Sequence, residues 1–566
     1  MEKRVILAFA LSIAVFVIWS YFFSPQPKQP TPTSIPSTET AESPVEGVTP
    51  SAERTAPVAR KMGESDLSAR ASKPGLREEA FGPGKEILVK TNLYSARFTE
   101  RGGRLTSLTL NKYRSAAKRE SQPKELVTVD SPQDNPLQTF FLSGSVPGLG
   151  NARFMADKEE VNLNPNQQQE RLTFIFRSEG GFEVTKVYTF YPDSYLIDLE
   201  VILRNYSAEP IDDNLVLELT SGPFKRKRRY SFQGLGLLLG DDLREIKINK
   251  IEKEMAKLRQ LKYSLTWAAF EDQYFLAAVL PENGDNIKVK AEPLGQSGVR
   301  VNLIHAPVNL APQTEKTYRY TLYYGPKDYK LLKSLNNHLE RSIYFGWFDI
   351  LAKPILVFMI WLHQYVKNYG ITIIILTVII KILFWPLTHK SQKSMKEMQK
   401  LQPRIMKLRE KYKNDKQAMN REMMQLYRTY KINPMGGCLP IAIQIPVFIA
   451  LYRILDYSLE LRHAPFLLWI QDLSAPDRLF HFAFQIPFMQ EPSGIPVLTL
   501  LMGATMFLQQ KMQPMPGDPA QAKIMMFMPL FFTVIFINFP AGLVLYWLVN
   551  NILTIGQQIY TNKIAS

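Results

Sequence analysis

Residues Gly370 to Leu387 read GITIIILTVIIKILFWPL, and this stretch constrains the rest of the chain. About 20 apolar residues at ~1.5 Å rise span a ~30 Å hydrocarbon layer, so the run has the character of a transmembrane helix. Lys381 interrupts it roughly two-thirds of the way along. An ammonium near a bilayer centre costs on the order of 2.5–3.5 kcal/mol, so something must offset it. Snorkelling is one answer. The polar boundary near Thr388 is about 7 residues away, roughly 10 Å, and a lysine stem spans about half of that. A hydrated cavity inside a helix bundle is the other. Thr377 lies one turn before Lys381 on the same face and extends a polar stripe, which favours the cavity.

The chain has 566 residues, 46% of them hydrophobic, and a formal charge of +16. Basic charge by itself does not argue for nucleic acid, because membrane proteins collect Lys and Arg in cytoplasmic loops. Cys438 is the one cysteine, so no intrachain disulfide can form and any exported domain must hold together by packing.

Taken in order, residues 1–23 read as an uncleaved N-terminal anchor. Lys3 and Arg4 place its start in the cytoplasm. Residues 24–83 are rich in Pro, Ser, Thr, Ala and Glu and read as a disordered tether on the far side. Period-two alternation then begins, as in Glu183 to Tyr191, Tyr195 to Leu203 and Leu215 to Leu219. Residues 84–341 are therefore expected to form a large all-β sandwich, with helical exceptions near Ile251–Gln260 and Lys327–Arg341. Its histidines, His305 and His338, lie in no catalytic motif, and Lys225 to Arg229 (KRKRR) reads as a solvated loop.

Residues 342–362 carry Trp347 and Trp361 and suggest an interfacial helix, followed by a crossing at 363–388. Residues 389–432 are basic. Met395, Met398, Leu401, Ile405, Leu408 and Tyr412 recur at helical spacing, and Met419, Met423, Leu426 and Tyr430 do so after Asn414. That pattern predicts a cytoplasmic helical hairpin, with Pro403 bending its first arm. Further crossings are expected at 433–457, 494–511, 524–539 and 540–561. Between them lie an outer loop at 458–493 holding an apolar piece (FLLWI, Phe466 to Ile470) and a cytoplasmic loop at 512–523. A short cytoplasmic tail, 562–566, follows. The fold class is thus a polytopic α-helical membrane protein with six transmembrane helices and both ends inside, a periplasmic β-sandwich and a helical hairpin. There is no Walker A motif, no zinc-ligand spacing and no G-x-S-x-G elbow, so neither an enzyme nor a cofactor is expected.

Four strings go further: NPMGGCLPIAIQIPVFIALY (Asn433 to Tyr452), LFWPLTHKSQKSMKEM (Leu383 to Met398), APFLLWIQDLS (Ala464 to Ser474) and FPAGLVLYW (Phe539 to Trp547). With them the chain closely resembles the YidC-type membrane protein insertases in their Gram-negative form. WAAFEDQYF (Trp267 to Phe275) and YFGW (Tyr344 to Trp347) resemble the exported domain and its exit. The resemblance implies a five-helix insertase core in the bacterial inner membrane, with a positively charged groove open to the cytoplasm and to lipid. The groove charge, usually an arginine, falls on Lys381, which keeps the charge but loses the planar fork. Thr377, Gln444 and Trp547 would line the groove or the sliding face, and Asn550 and Thr554 would continue it by helical spacing.

The resemblance also implies partners: nascent membrane proteins, the phospholipid bilayer, the Sec translocon with its accessory subunits, and the ribosome and signal recognition particle pathway, but no DNA. The hairpin, through Lys396, Lys400, Arg404, Lys407 and Arg409, would be the ribosome-docking element. The competing reading of Lys381 is a titrating site in a solute or proton transporter, although no internal repeat accompanies it.

Overall fold

A computed structural model describes residues 84–115, 121–224, 232–295, 297–413, 415–430, 439–513 and 519–564. The expected anchor and tether, the Lys225–Arg229 run and the Asn433–Cys438 lead into the third crossing lie outside these residues.

The strands expected from alternation are present as Phe182–Phe190, Leu196–Asn205 and Ile211–Ser221. The first two belong to a nine-stranded sheet and the third to a four-stranded one, and a five-stranded sheet completes the domain. Leu196–Asn205 is central to the largest sheet. It pairs antiparallel with Phe182–Phe190 on one side and Thr314–Pro326 on the other, so Leu199 lies opposite both Tyr188 and Tyr320. Side chains alternate across a strand, so Phe182, Tyr188 and Phe190 share one face of that sheet. Phe98 of the five-stranded sheet meets Tyr188 and Phe190, and Phe141 of the four-stranded sheet meets Phe182. Both smaller sheets therefore pack on the same face of the large one.

Buried cationic side chains in this domain are hydrogen-bonded, and one of them is ion-paired. Lys186, inside the sandwich, donates to the carbonyls of Gly102 and Leu137 at 2.8 Å each. Arg104, equally buried, donates to the carbonyls of Arg101 and Gln133 and to the Asn151 side chain. Lys327 meets Glu271 at 2.7 Å with both side chains out of solvent.

Ten α-helices are described. In the β-domain these are α1 (Ile251–Leu258) and α2 (Tyr329–Ser334). The rest are α3 (Asp349–Val366), α4 (Tyr369–Leu383), α5 (Trp385–Lys411), α6 (Lys416–Thr429), α7 (Leu439–Tyr457), α8 (Val497–Met512), α9 (Pro519–Phe536) and α10 (Ala541–Ile564). The sequence places a boundary at 362/363. The structure instead ends α3 at Lys367, whose φ of +57° forms a left-handed C-terminal cap, with its amide bonded to His363 O at 2.8 Å. Asn368 then caps α4 through Ile371 N.

A 64° bend separates α4 from α5 at Phe384, with Pro386 in the first turn of α5. Pro403, expected to bend the hairpin arm, lies inside one continuous helix. Among the described residues, Gly346–Val366 is long and apolar enough to cross a membrane on length and composition. Tyr369–Leu383 and Trp385–Lys411 pass the same test only as a bent pair.

The FLLWI segment folds back on the helices. A Cβ on Gly370 would lie 2.0 Å from the Phe466 ring, so that close approach requires glycine. Asn368 Nδ2 donates to Phe466 O, and Trp469 Nε1 to Asp477 Oδ1 at 2.6 Å. The amides of Ala541 and Gly542 bond to Ala475 O and Leu473 O, tying the loop to the start of α10.

Candidate functional site: a polar seam between helices

Helix α10 is apolar in its first turns, then places Asn550, Asn551, Thr554, Gln557, Gln558 and Thr561 at spacings of one, three and four. A helix repeats every 3.6 residues, so Asn550, Thr554, Gln557 and Thr561 form one stripe. Lys381, Thr388 and Gln392 make a matching stripe along α4 and α5. The two meet in register. Lys381 Nζ donates to Thr554 Oγ1 at 2.7 Å, and Thr554 Oγ1 donates to its own helix at Asn550 O. Gln557 Nε2 donates to Thr388 Oγ1 at 2.9 Å, and Thr561 Oγ1 to Gln392 Oε1 at 3.1 Å.

Thr388 and Gln557 are buried, whereas Lys381 and Thr554 are only partly covered. An ammonium carries three donors, and the hydrogen bond to Thr554 uses one. No carboxylate lies within ion-pair distance of Lys381 among the described residues. A cation with two uncommitted donors at the edge of a polar seam can draw in water or an acidic group.

The other residues singled out from sequence divide into two groups. Gln444 Nε2 donates to Tyr546 OH at 3.3 Å across the α7–α10 seam. Trp547 packs edge-on against Phe448 at 5.0 Å and against Phe536 at 5.3 Å. Trp547, Asn550 and Thr554 follow one another at three and four residues along α10, all partly exposed, so they share a strip. Thr377 stands apart. It is fully buried, and its hydroxyl donates to Ile373 O within α4 at 2.6 Å.

Between α5 and α6, Leu401 and Ile405 are buried against Met398, Met423, Leu426 and Tyr427. Lys400, Arg404 and Lys407 are exposed while Lys396 and Arg409 are half-covered, and the Arg404 guanidinium lies 5.1 Å over the Tyr430 ring. Sequence reasoning missed Thr388, Gln392, Gln557 and Thr561. The spacing shared by the two stripes was the available clue.

The YidC periplasmic domain family matches residues 86–358, and the 60Kd inner membrane protein family matches 361–566. A membrane protein insertase YidC of Syntrophus aciditrophicus (strain SB) is 42% identical over 570 residues, covering 100% of both chains. The chain belongs to the YidC membrane protein insertase family. Its namesake in Pelobacter propionicus is likewise 42% identical, over 567 residues and 100% of both chains. A solved structure of an active YidC insertase with its first transmembrane domain resolved covers 84% of this chain and 94% of its own, at 18% identity and a TM-score of 0.36. As a YidC-family chain it is an inner-membrane protein whose β-sheets form the family's periplasmic domain. Its relatives carry the name of insertases rather than of enzymes.

Proposed function

We propose that this chain inserts membrane proteins by accepting their short polar segments at the Lys381–Thr554 seam. The observation that carries this reading is the half-covered ammonium with one hydroxyl partner on a polar helix stripe. On this reading six crossings leave both termini in the cytoplasm. Lys381 attracts acidic groups of the incoming segment, and water held beside it shortens the hydrocarbon path. The client's apolar helix then leaves along Trp547 and the α7–α10 seam into lipid, driven by burial of apolar surface and by the membrane potential. The exposed Lys400, Arg404 and Lys407 dock the ribosome, and the chain works alone or beside the Sec translocon.

The test is site-specific crosslinking of a ribosome-bound nascent membrane protein from Gln444, Trp547 and Asn550. Adducts at these positions, reduced by Lys381→Glu, are expected. Their absence at all three would remove the groove.

A further inference from the structure

We infer that the crevice between α2 and α3 is a binding site for one anionic phospholipid of the outer leaflet. Its phosphate would sit between Lys330 and Lys333 and its acyl chain along Val357 and Ile360. This inference needs α3 to lie at a bilayer surface, but it is independent of the Lys381 seam.

The crevice encloses about 360 Å³ and is lined by Tyr329, Lys330, Lys333, Ser334, Val357 and Ile360. Its two walls differ in chemistry. On the α2 side Lys330 and Lys333, three residues apart, project from the same exposed face. Neither makes an ion pair among the described residues. Lys333 lies 5.9 Å over the Tyr329 ring, and Lys330 acts on the Glu460 carboxylate only from beyond ion-pair distance. On the α3 side the wall is aliphatic, and it continues into an unpartnered apolar stripe. Ile350 is 89% exposed, and Val357, Trp361 and Tyr365 follow at seven, four and four residues, with Trp347 97% exposed ahead of them. The cation of α3 itself, Lys353, is neutralised by Asp349 at 2.8 Å. Aromatic residues beside an apolar stripe mark the headgroup level of a membrane.

Two exposed lysines at the rim of an aliphatic crevice complement a molecule that is anionic at one end and hydrocarbon at the other. A free phosphate would satisfy the lysines and leave Val357 uncovered. A zwitterionic lipid would cover Val357 without a net charge for the lysines.

The full-length chain in lipid nanodiscs is probed with photoreactive phosphatidylglycerol and photoreactive phosphatidylcholine, and adducts are mapped to residues 329–361. A phosphatidylglycerol preference is expected in this segment, falling about fivefold for each of K330Q and K333Q. Val357→Ser is expected to reduce both adducts without changing their ratio, which separates the aliphatic wall from the cationic one. Unchanged thermal unfolding of each variant rules out misfolding as the cause. Equal labelling by both lipids in the native chain, or a preference that survives K330Q/K333Q, would overturn the assignment. So would displacement of the lipid by millimolar inorganic phosphate, which would name a free anion as the occupant.

Discussion

Lys186 in the β-domain and Lys381 in the helical core are the same side chain under opposite treatment. Lys186 is wholly buried, holds two carbonyls at 2.8 Å and lies 5.6 Å over the Phe154 ring. Burial, reinforced by Arg104, pushes its pKa well down. Lys381 has one hydroxyl partner and an open side. A structural cation is surrounded until nothing else can approach, because an unpaired buried charge is costly. A cation meant for a guest must keep unspent donors. Lys186 is thus fully committed within the β-domain, whereas Lys381 keeps donors that the proposed function would use.

The largest effect expected from this contrast is in the β-domain. Glu271→Ala leaves Lys327 buried without its carboxylate, and removing one partner of a buried pair costs about 3–5 kcal/mol. Lys186→Met strands two carbonyls and should cost about 2–4 kcal/mol. Denaturant unfolding of the full-length chain would read both losses. A change below 1 kcal/mol in either variant would mean that these ions are not structural pins.

Lys381→Leu should do the reverse. The β-domain unfolds as before, while insertion of a client with an acidic exported segment falls at least tenfold in proteoliposomes. Lys381→Arg should restore most of it, because charge matters more than shape if attraction is the role. Normal insertion by the leucine variant would put Lys381 in the same class as Lys186. A smaller loss, roughly fivefold, is expected for Thr554→Val, which removes the hydroxyl that orients the ammonium. Equal losses for acidic and neutral clients would make that hydroxyl a packing element instead.

The two regions also differ in how much of them could be read from sequence. EVTKVYTFY announces a strand because period two is local, and the observed strand is Phe182–Phe190. The division into three sheets was not legible, since Tyr320 comes to lie opposite Leu199 only through pairing distant in the chain. Lys381 was legible as a charge out of place. Thr554 was legible only as a position on a helical face, because its partner lies 173 residues away. Gln557 and Thr388 were missed because Thr388 reads as the polar end of a crossing, whereas the bend at Phe384 turns it back onto α10. FLLWI reads as an interfacial piece by composition. Its fit against Gly370 depends on a glycine that gives no sign of its neighbour.

The junction of the two regions supplies the smallest effect and a sharp sign. Glu460, just past α7, accepts a hydrogen bond from Tyr329 N of α2. Burial pushes its carboxyl up to about 7 from an ordinary 4.5, with Asp328 adding to the rise and Lys330 opposing it. Glu245, on the neighbouring sheet edge, keeps a solvent-exposed side, yet the protein crowded around it and Glu271 push its carboxyl up to about 7. A carboxyl whose pKa is raised by folding binds its proton more tightly in the folded junction. Stability is therefore fullest below about 4.5 and is lost as pH rises through about 7. His305 of the sandwich has the opposite sense. Burial lowers it to about 4, so its neutral form, bonded to Tyr320, is retained as pH rises and penalised as pH falls. Hydrogen exchange corrected for intrinsic rates should show α2 and residues 458–463 loosening by about 1 kcal/mol between pH 6 and 8, while the strands around His305 do not loosen. Glu460→Gln keeps an acceptor for Tyr329 N without a charge, and should flatten the slope at the junction alone. A slope that survives that substitution would transfer the effect to Glu245, and one shared by the His305 strands would mean that the two regions open together.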